Sequence, residues 1–173
     1  MNDAHLHLVV NHFPIIGSIL GLGVLIAGLF LKNNSVKNTG FFLLIIAAVF
    51  ALASMATGDG AEEMVKDMPI IGEKIIHEHE QIAEKFALVL YATGIFSIVS
   101  LYATQKRNKF AKIVTYITLI LALIAAGLST FVGTSGGEIR HTEIRDNNDT
   151  LVSKNINSVR PGFNDTLKRK VDE

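Results

Sequence analysis

Six histidines are the side chains with the most chemistry to offer in this sequence. His5, His7 and His12 sit in HLHLVVNHFP, His77 and His79 in HEHEQ, and His141 in EIRHTE. A neutral imidazole carries one ring-nitrogen lone pair, which serves haem iron and divalent transition metals alike. Cysteine is absent, which excludes thiolate metal sites, disulfides and covalently attached haem. Four methionines are too few to favour a soft Cu(I) carrier. No nucleophile motif, phosphate loop or dinucleotide fingerprint occurs, so no catalytic activity of the chain's own is expected, and no nucleic-acid partner.

The elements that must position these imidazoles are apolar. Of 173 residues, 49% are hydrophobic. Four segments contain no Asp, Glu, Lys or Arg: Ala4 to Leu31, Asn38 to Gly58, Phe86 to Gln105 and Ile113 to Gly137. Each reaches the roughly 20 residues a membrane-spanning helix requires. The expected fold is all-α, an integral membrane four-helix bundle over residues 1–145, with spans near 10–31, 39–58, 80–105 and 111–135. The first run lacks the basic leader and cleavage site of a secretory signal, so it is expected to be a span. The tail from 146 to 173 is polar and Asn-rich, expected to be extended or bound to a partner.

Zero net charge hides an uneven distribution. The first connection holds Lys32 and Lys37, the last Lys106, Arg107, Lys109 and Lys112, and neither holds an acid. Basic short loops mark the cytoplasmic side. Both termini and the middle connection, Asp59 to Lys85 with eight acids against three bases, are therefore expected on the non-cytoplasmic face of an inner membrane. All six histidines fall on that face.

Helical spacing sorts them. Ile75, Ile76, His79, Ile82, Ala83 and Phe86 form one apolar stripe, whereas His77 aligns with Glu73, Glu80 and Glu84 on a charged face. His79 is thus the expected ligand and His77 an ordinary solvated residue. His12 aligns with Ile16, Ile19, Gly23 and Ala27, a stripe expected to face the bundle. His7 and His12 would diverge by about 140° on a continuous helix, so a bend at Pro14 is needed for both to serve one site. Gly136 and Gly137 are expected to end the last helix, letting Glu138 and His141 fold back to the rim.

These stretches resemble a bacterial multi-pass membrane family catalogued as domain of unknown function 2231, whose members open with His, four residues, then His-Phe-Pro. Here that start reads His7, LVVN, His12, Phe13, Pro14; TGDGAEE follows from Thr57, HEQIAE from His79 and GGEIRHTEIR from Gly136. Where the family places Pro after its first His, this chain has Leu8. The resemblance implies four spans and histidines gathered at one membrane face, with no settled activity. Some relatives look as if they accompany respiratory or cytochrome proteins, which makes haem b the implied cofactor and His7, His12, His79 and His141 the implied binding residues.

Three functions are open at this point. The first is a cytochrome-like subunit in the lipid bilayer, holding haem b between paired imidazoles and passing electrons to other membrane or periplasmic redox subunits such as a cytochrome. Glycines Gly17, Gly21, Gly23 and Gly28 would let a macrocycle approach the first span, although helix packing is their commoner use. The second is a divalent transition-metal site of His12, His79, His141 and Glu138. The third is a structural subunit whose histidines only satisfy polar neighbours at the interface.

Overall fold

The computed structural model describes residues 2–65 and 73–141, and all the regular structure in them is helical. A short helix α1 (Asp3–Val10) leads into α2 (His12–Phe30), followed by α3 (Asn34–Val65), α4 (Glu73–Gln105) and α5 (Ala111–Arg140). The chain forms two compact units, Met1–Gly136 and Gly137–Glu173. In the first, α1 and α2 together, α3, α4 and α5 are each long and apolar enough to cross a membrane. Large apolar side chains face outward on every span, among them Leu20, Phe42, Leu88, Ile95, Ile120 and Phe131. Water would penalise such a surface, while a bilayer is the solvent it matches.

Small residues decide how α2 meets α3. A Cβ on Gly28 would lie 2.5 Å from the Lys37 amide nitrogen, one on Gly40 2.7 Å from that of Leu25, and one on Gly17 2.9 Å from Ala47 Cβ. The backbones approach this closely because glycine has no side chain there, which lets dispersion and carbonyl dipoles hold two helices that lipid would otherwise separate. The buried stripe of α2 is consequently Pro14, Ser18, Gly21, Leu25 and Gly28. The stripe expected to face inward points out instead: Ile16 is 53% and Ile19 46% exposed, His12 and Ala27 are exposed, and nothing lies within 4 Å of a Cβ on Gly23. In a helix apolar on all sides, hydrophobic periodicity carries no facing information, and close packing chooses the face. The same packing leaves no room for a macrocycle at Gly17, Gly21 or Gly28, because Ala47, Leu44 and Lys37 of α3 occupy it.

On α4 the spacing reads correctly. Ile76 and Phe86 are buried, Ile75, His79, Ile82 and Ala83 half-buried, and His77 exposed. Deeper in, Thr93, Ser97 and Ser100 of α4 and Thr118 and Ser129 of α5 are closed to solvent. Ser100 and Thr118 hydroxyls meet at 2.9 Å, and Thr93, Ser97 and Thr118 also donate to carbonyls four residues back. Hydroxyls satisfied in this way are tolerated away from water.

The two short turns share one construction. Lys32 and Arg107 take the left-handed conformation, φ 52° and 51°. The following Asn33 and Asn108 amides reach back to Gly28 and Ala103 carbonyls, and their side-chain oxygens accept the amides of Ser35 and Phe110 two residues on. A side chain with a Cβ in this conformation costs about 1–2 kcal/mol. A cation there faces the negative end of the helix dipole, which offsets part of that cost. All six basic residues of the two turns lie at this end of the bundle, called here the basic end.

The helices outrun the expected spans. α3 continues past Gly58 to Val65 and α4 starts at Glu73, so the whole acidic TGDGAEE stretch is helix. α5 passes through Gly136 and Gly137 to Arg140, and no described glycine has positive φ; the expected stop does not occur. Two glycines cost a helix roughly 2 kcal/mol, comparable to leaving one backbone group unpaired in an apolar setting. The tail from 146 to 173 lies outside the described residues.

Substituting Gly28 by Ala is expected to destabilise the chain in detergent by about 1–3 kcal/mol, since backbone atoms of Lys37 must move. Gly23→Ala should leave it unchanged or slightly stabler. Equal thermal midpoints for the two variants would refute the α2–α3 contact.

Candidate site: two seated imidazoles

The end of the bundle opposite the basic turns carries the histidines, and the break between α1 and α2 comes first. Pro14 has no amide hydrogen for the Val10 carbonyl, so the helix cannot run through unbroken. It interrupts at Asn11, and Pro14 then sits in the first turn of α2, where it costs nothing. α1 is thereby free to lay one edge on α3: Asp3 covers Gly60, where a Cβ would lie 2.7 Å from the carboxylate, and His7, one turn on, covers Gly58.

His7 is half-buried. Its Nδ1 lies 3.1 Å from the Ser54 carbonyl oxygen and 3.1 Å from Thr57 Oγ1. A carbonyl only accepts, and the Thr57 hydroxyl hydrogen is engaged by the Ala53 or Ser54 carbonyl. Nδ1–H must therefore be the donor, and Nε2 of the neutral ring keeps the lone pair. His79 repeats the arrangement from α4. Its Nδ1 lies 2.9 Å from Ser135 Oγ, whose hydrogen goes to the Val132 carbonyl, so here too Nδ1–H donates and Nε2 is left with the lone pair. The ring rests on Gly136, where a Cβ would stand 3.1 Å from His79 Cε1. A charge on His7 is felt at His79, as is that of Glu80, so the two rings stand within electrostatic reach across the same end.

Both imidazoles thus occupy one kind of seat, a hydroxyl residue followed by glycine: Thr57-Gly58 for His7 and Ser135-Gly136 for His79. The two halves of the bundle match further. Lys32 follows His7 by 25 residues and precedes Thr57 by 25, while Arg107 follows His79 by 28 and precedes Ser135 by 28. Each half is a hairpin with a histidine at its start, a left-handed cation and an asparagine at its turn, and a hydroxyl-glycine seat at its end. Sequence reading missed this correspondence; the spacings carry it, but no single motif is long enough to announce it.

The other histidines differ. His12 is exposed, and its Nδ1–H donates to the Leu8 carbonyl at 2.9 Å, satisfying one carbonyl in the last turn of α1. It therefore stands apart from the half-buried pair, contrary to its expected inward facing. Asn11, between them, has a buried carboxamide oxygen with no hydrogen-bond partner among the described residues. His5 is exposed. His77 accepts from Gln81 at Nε2, 2.9 Å, and pairs with Glu80 through Nδ1, 3.5 Å, so its lone pair is already engaged. Glu138 and His141 belong to the second unit, where the helix ends at Arg140 and the His141 amide reaches the Gly137 carbonyl at 2.9 Å. Among the described residues no three His, Asp or Glu side chains converge as a metal-ligand group.

Chemically, an imidazole held by Nδ1–H with Nε2 presented is how ligand histidines are oriented for metals, the acceptor behind the ring setting both tautomer and direction. The family described as predicted membrane protein (DUF2231) matches residues 4–143. Comparison with curated proteins and with solved structures finds no match.

Above their titration, His7 and His79 are expected to show the Nδ1–H tautomer in ¹⁵N spectra of selectively labelled protein, against the usual preference for Nε2–H in water. Ser135→Ala should shift His79 alone toward Nε2–H and cost about 1 kcal/mol of stability. An Nε2–H signal for both residues in the unaltered chain would contradict the assignment.

Proposed function

The chain belongs to the DUF2231 family of predicted membrane proteins, and from that premise we propose that it is a cytochrome-like membrane subunit in which His7 and His79 hold haem b. The observation that carries the reading is the equivalence of the two seats. Two matched hairpins present one Nε2 lone pair each, and two imidazoles are what a six-coordinate haem iron asks of a protein. The donor set fits the group. The glycines of α2 are packed on α3, so the residues that would hold the group are His7 of α1 and His79 of α4. When bound, haem supplies one-electron chemistry at a potential set by axial ligands and their hydrogen bonds.

What the chain does follows from its own atoms. The Ser54 carbonyl and Thr57 hydroxyl hold the His7 ring, and Ser135 holds that of His79. Hydrogen bonds to Nδ1–H raise the basicity of Nε2 and so strengthen its bond to iron. Glycines at 58 and 136 let each ring lie against a helix backbone. Two short turns that carry bases and no acid orient the bundle with that end in the cytoplasm and the imidazoles at the periplasmic side of the inner membrane. The basic end has no histidine, so electrons are exchanged on the outer side alone, with a membrane or periplasmic redox partner.

A second reading has an observation of its own. The Nδ1 bonds tie α1 to α3 and α4 to α5, and a purely structural clamp needs no more. A divalent transition metal on the same lone pairs, completed by His12 or water, is a third outcome.

Absorbance of the detergent-purified chain, expressed with haem supply, distinguishes these. A Soret band with reduced α and β peaks, abolished by His7→Ala and by His79→Ala and kept by His77→Ala, is the expected result; Ser135→Ala should weaken retention by about tenfold or more. A colourless preparation with stoichiometric metal assigns the divalent ion. Neither pigment nor metal, with both alanine variants merely less stable, leaves the clamp.

A further inference from the structure

The seam between α2 and α5 holds a groove of about 370 Å³, lined by Ile26, Leu29, Phe30, Leu119 and Leu123. Its volume is within the range of about 300–1,000 Å³ usual for ligand clefts, and its lining is wholly aliphatic and aromatic. Phe30 is 84% exposed at its rim. Elsewhere in the bundle glycine closes the contact: Gly94 lets α3 and α4 approach, a Cβ there meeting Ala48 Cβ at 2.6 Å, whereas the groove is lined by large side chains alone.

The groove opens toward the basic end. Lys32 follows Phe30 by two residues, exposed and held in the left-handed turn. On α5, Lys112, Tyr116, Leu119 and Leu123 succeed one another at intervals of four, three and four, one face of a helix. Lys112 and Tyr116 are exposed. This end carries Lys32, Lys37, Lys106, Arg107, Lys109 and Lys112 without a single acid, a charge that only an anionic head group complements.

We propose that the α2–α5 groove binds one anionic glycerophospholipid of the basic-end leaflet, an acyl chain lying along Ile26, Leu29, Leu119 and Leu123 and the phosphate held by Lys32 and Lys112, with the Tyr116 hydroxyl beside it. Lipid that only surrounds the protein would be taken up according to the bulk composition. A lipid in this groove is selected by head-group charge and retained when the surrounding lipid is removed.

The test uses the full chain in discs containing equal phosphatidylglycerol and phosphatidylcholine of identical acyl chains, then detergent transfer and native mass spectrometry. One phosphatidylglycerol per chain is expected to stay bound in preference to phosphatidylcholine. Lys32→Gln and Lys112→Gln, both at exposed positions, should each lower its retention by about fivefold, while Lys109→Gln, outside the stripe, should have little effect. Leu123→Trp, which fills the groove, should lower retention of both lipids. Equal retention of the two lipids by the unaltered chain would overturn the proposal. So would equal losses from all three lysine variants, which would indicate diffuse attraction to the basic end, or full retention by Leu123→Trp.

Discussion

An imidazole N–H at the edge of an apolar bundle has to find an acceptor within the protein, because lipid offers none and an unpaired donor costs a few kcal/mol. The acceptor that it finds determines which nitrogen keeps the lone pair. At His7 the Ser54 carbonyl can only accept, which makes Nδ1–H the donor; at His79 the Ser135 hydroxyl accepts from Nδ1–H when its own hydrogen goes to the Val132 carbonyl. The tautomer, the aim of the ring and the availability of Nε2 all follow from that. His77 shows the contrast: on the solvated face of the same helix, its lone pair is taken by Gln81.

The seats exist because two hairpins repeat one construction. A turn led by a left-handed cation and an asparagine sets the distance from a histidine to a hydroxyl-glycine pair, and equal numbers of residues on the way in and out return the chain to the same level. The hairpin that begins with α1 and α2 needs the break at Asn11 to do this, since a straight helix would carry His7 off the face that meets α3. Pro14 makes the break, and the His12 ring donates to the Leu8 carbonyl in the last turn of α1.

The halves differ where packing does. Gly94 lets α3 and α4 approach closely, whereas large side chains line an apolar cleft between α2 and α5. Residue size at each contact thus decides which helices meet backbone to backbone and which leave a gap between them.

Much was legible in the residues alone. Four charge-free runs imply four spans because each backbone polar group in lipid must be paired within its own helix, and basic turns against acidic connections sort the ends. The stripe holding His79 could be read because α4 begins in a charged stretch, where polarity distinguishes faces. The facing of α2 could not be read, since a helix apolar all round has no periodicity to reveal which side is covered, and glycine contacts with α3 chose the opposite face. The continuation of α5 through Gly136 and Gly137 was equally hidden, because glycine's intrinsic cost is local whereas the need to pair backbone groups comes from the surroundings. The seats of His7 and His79 join residues 50 and 56 apart in sequence; composition supplied the imidazoles and hydroxyls, and only the fold brought each ring to its acceptor.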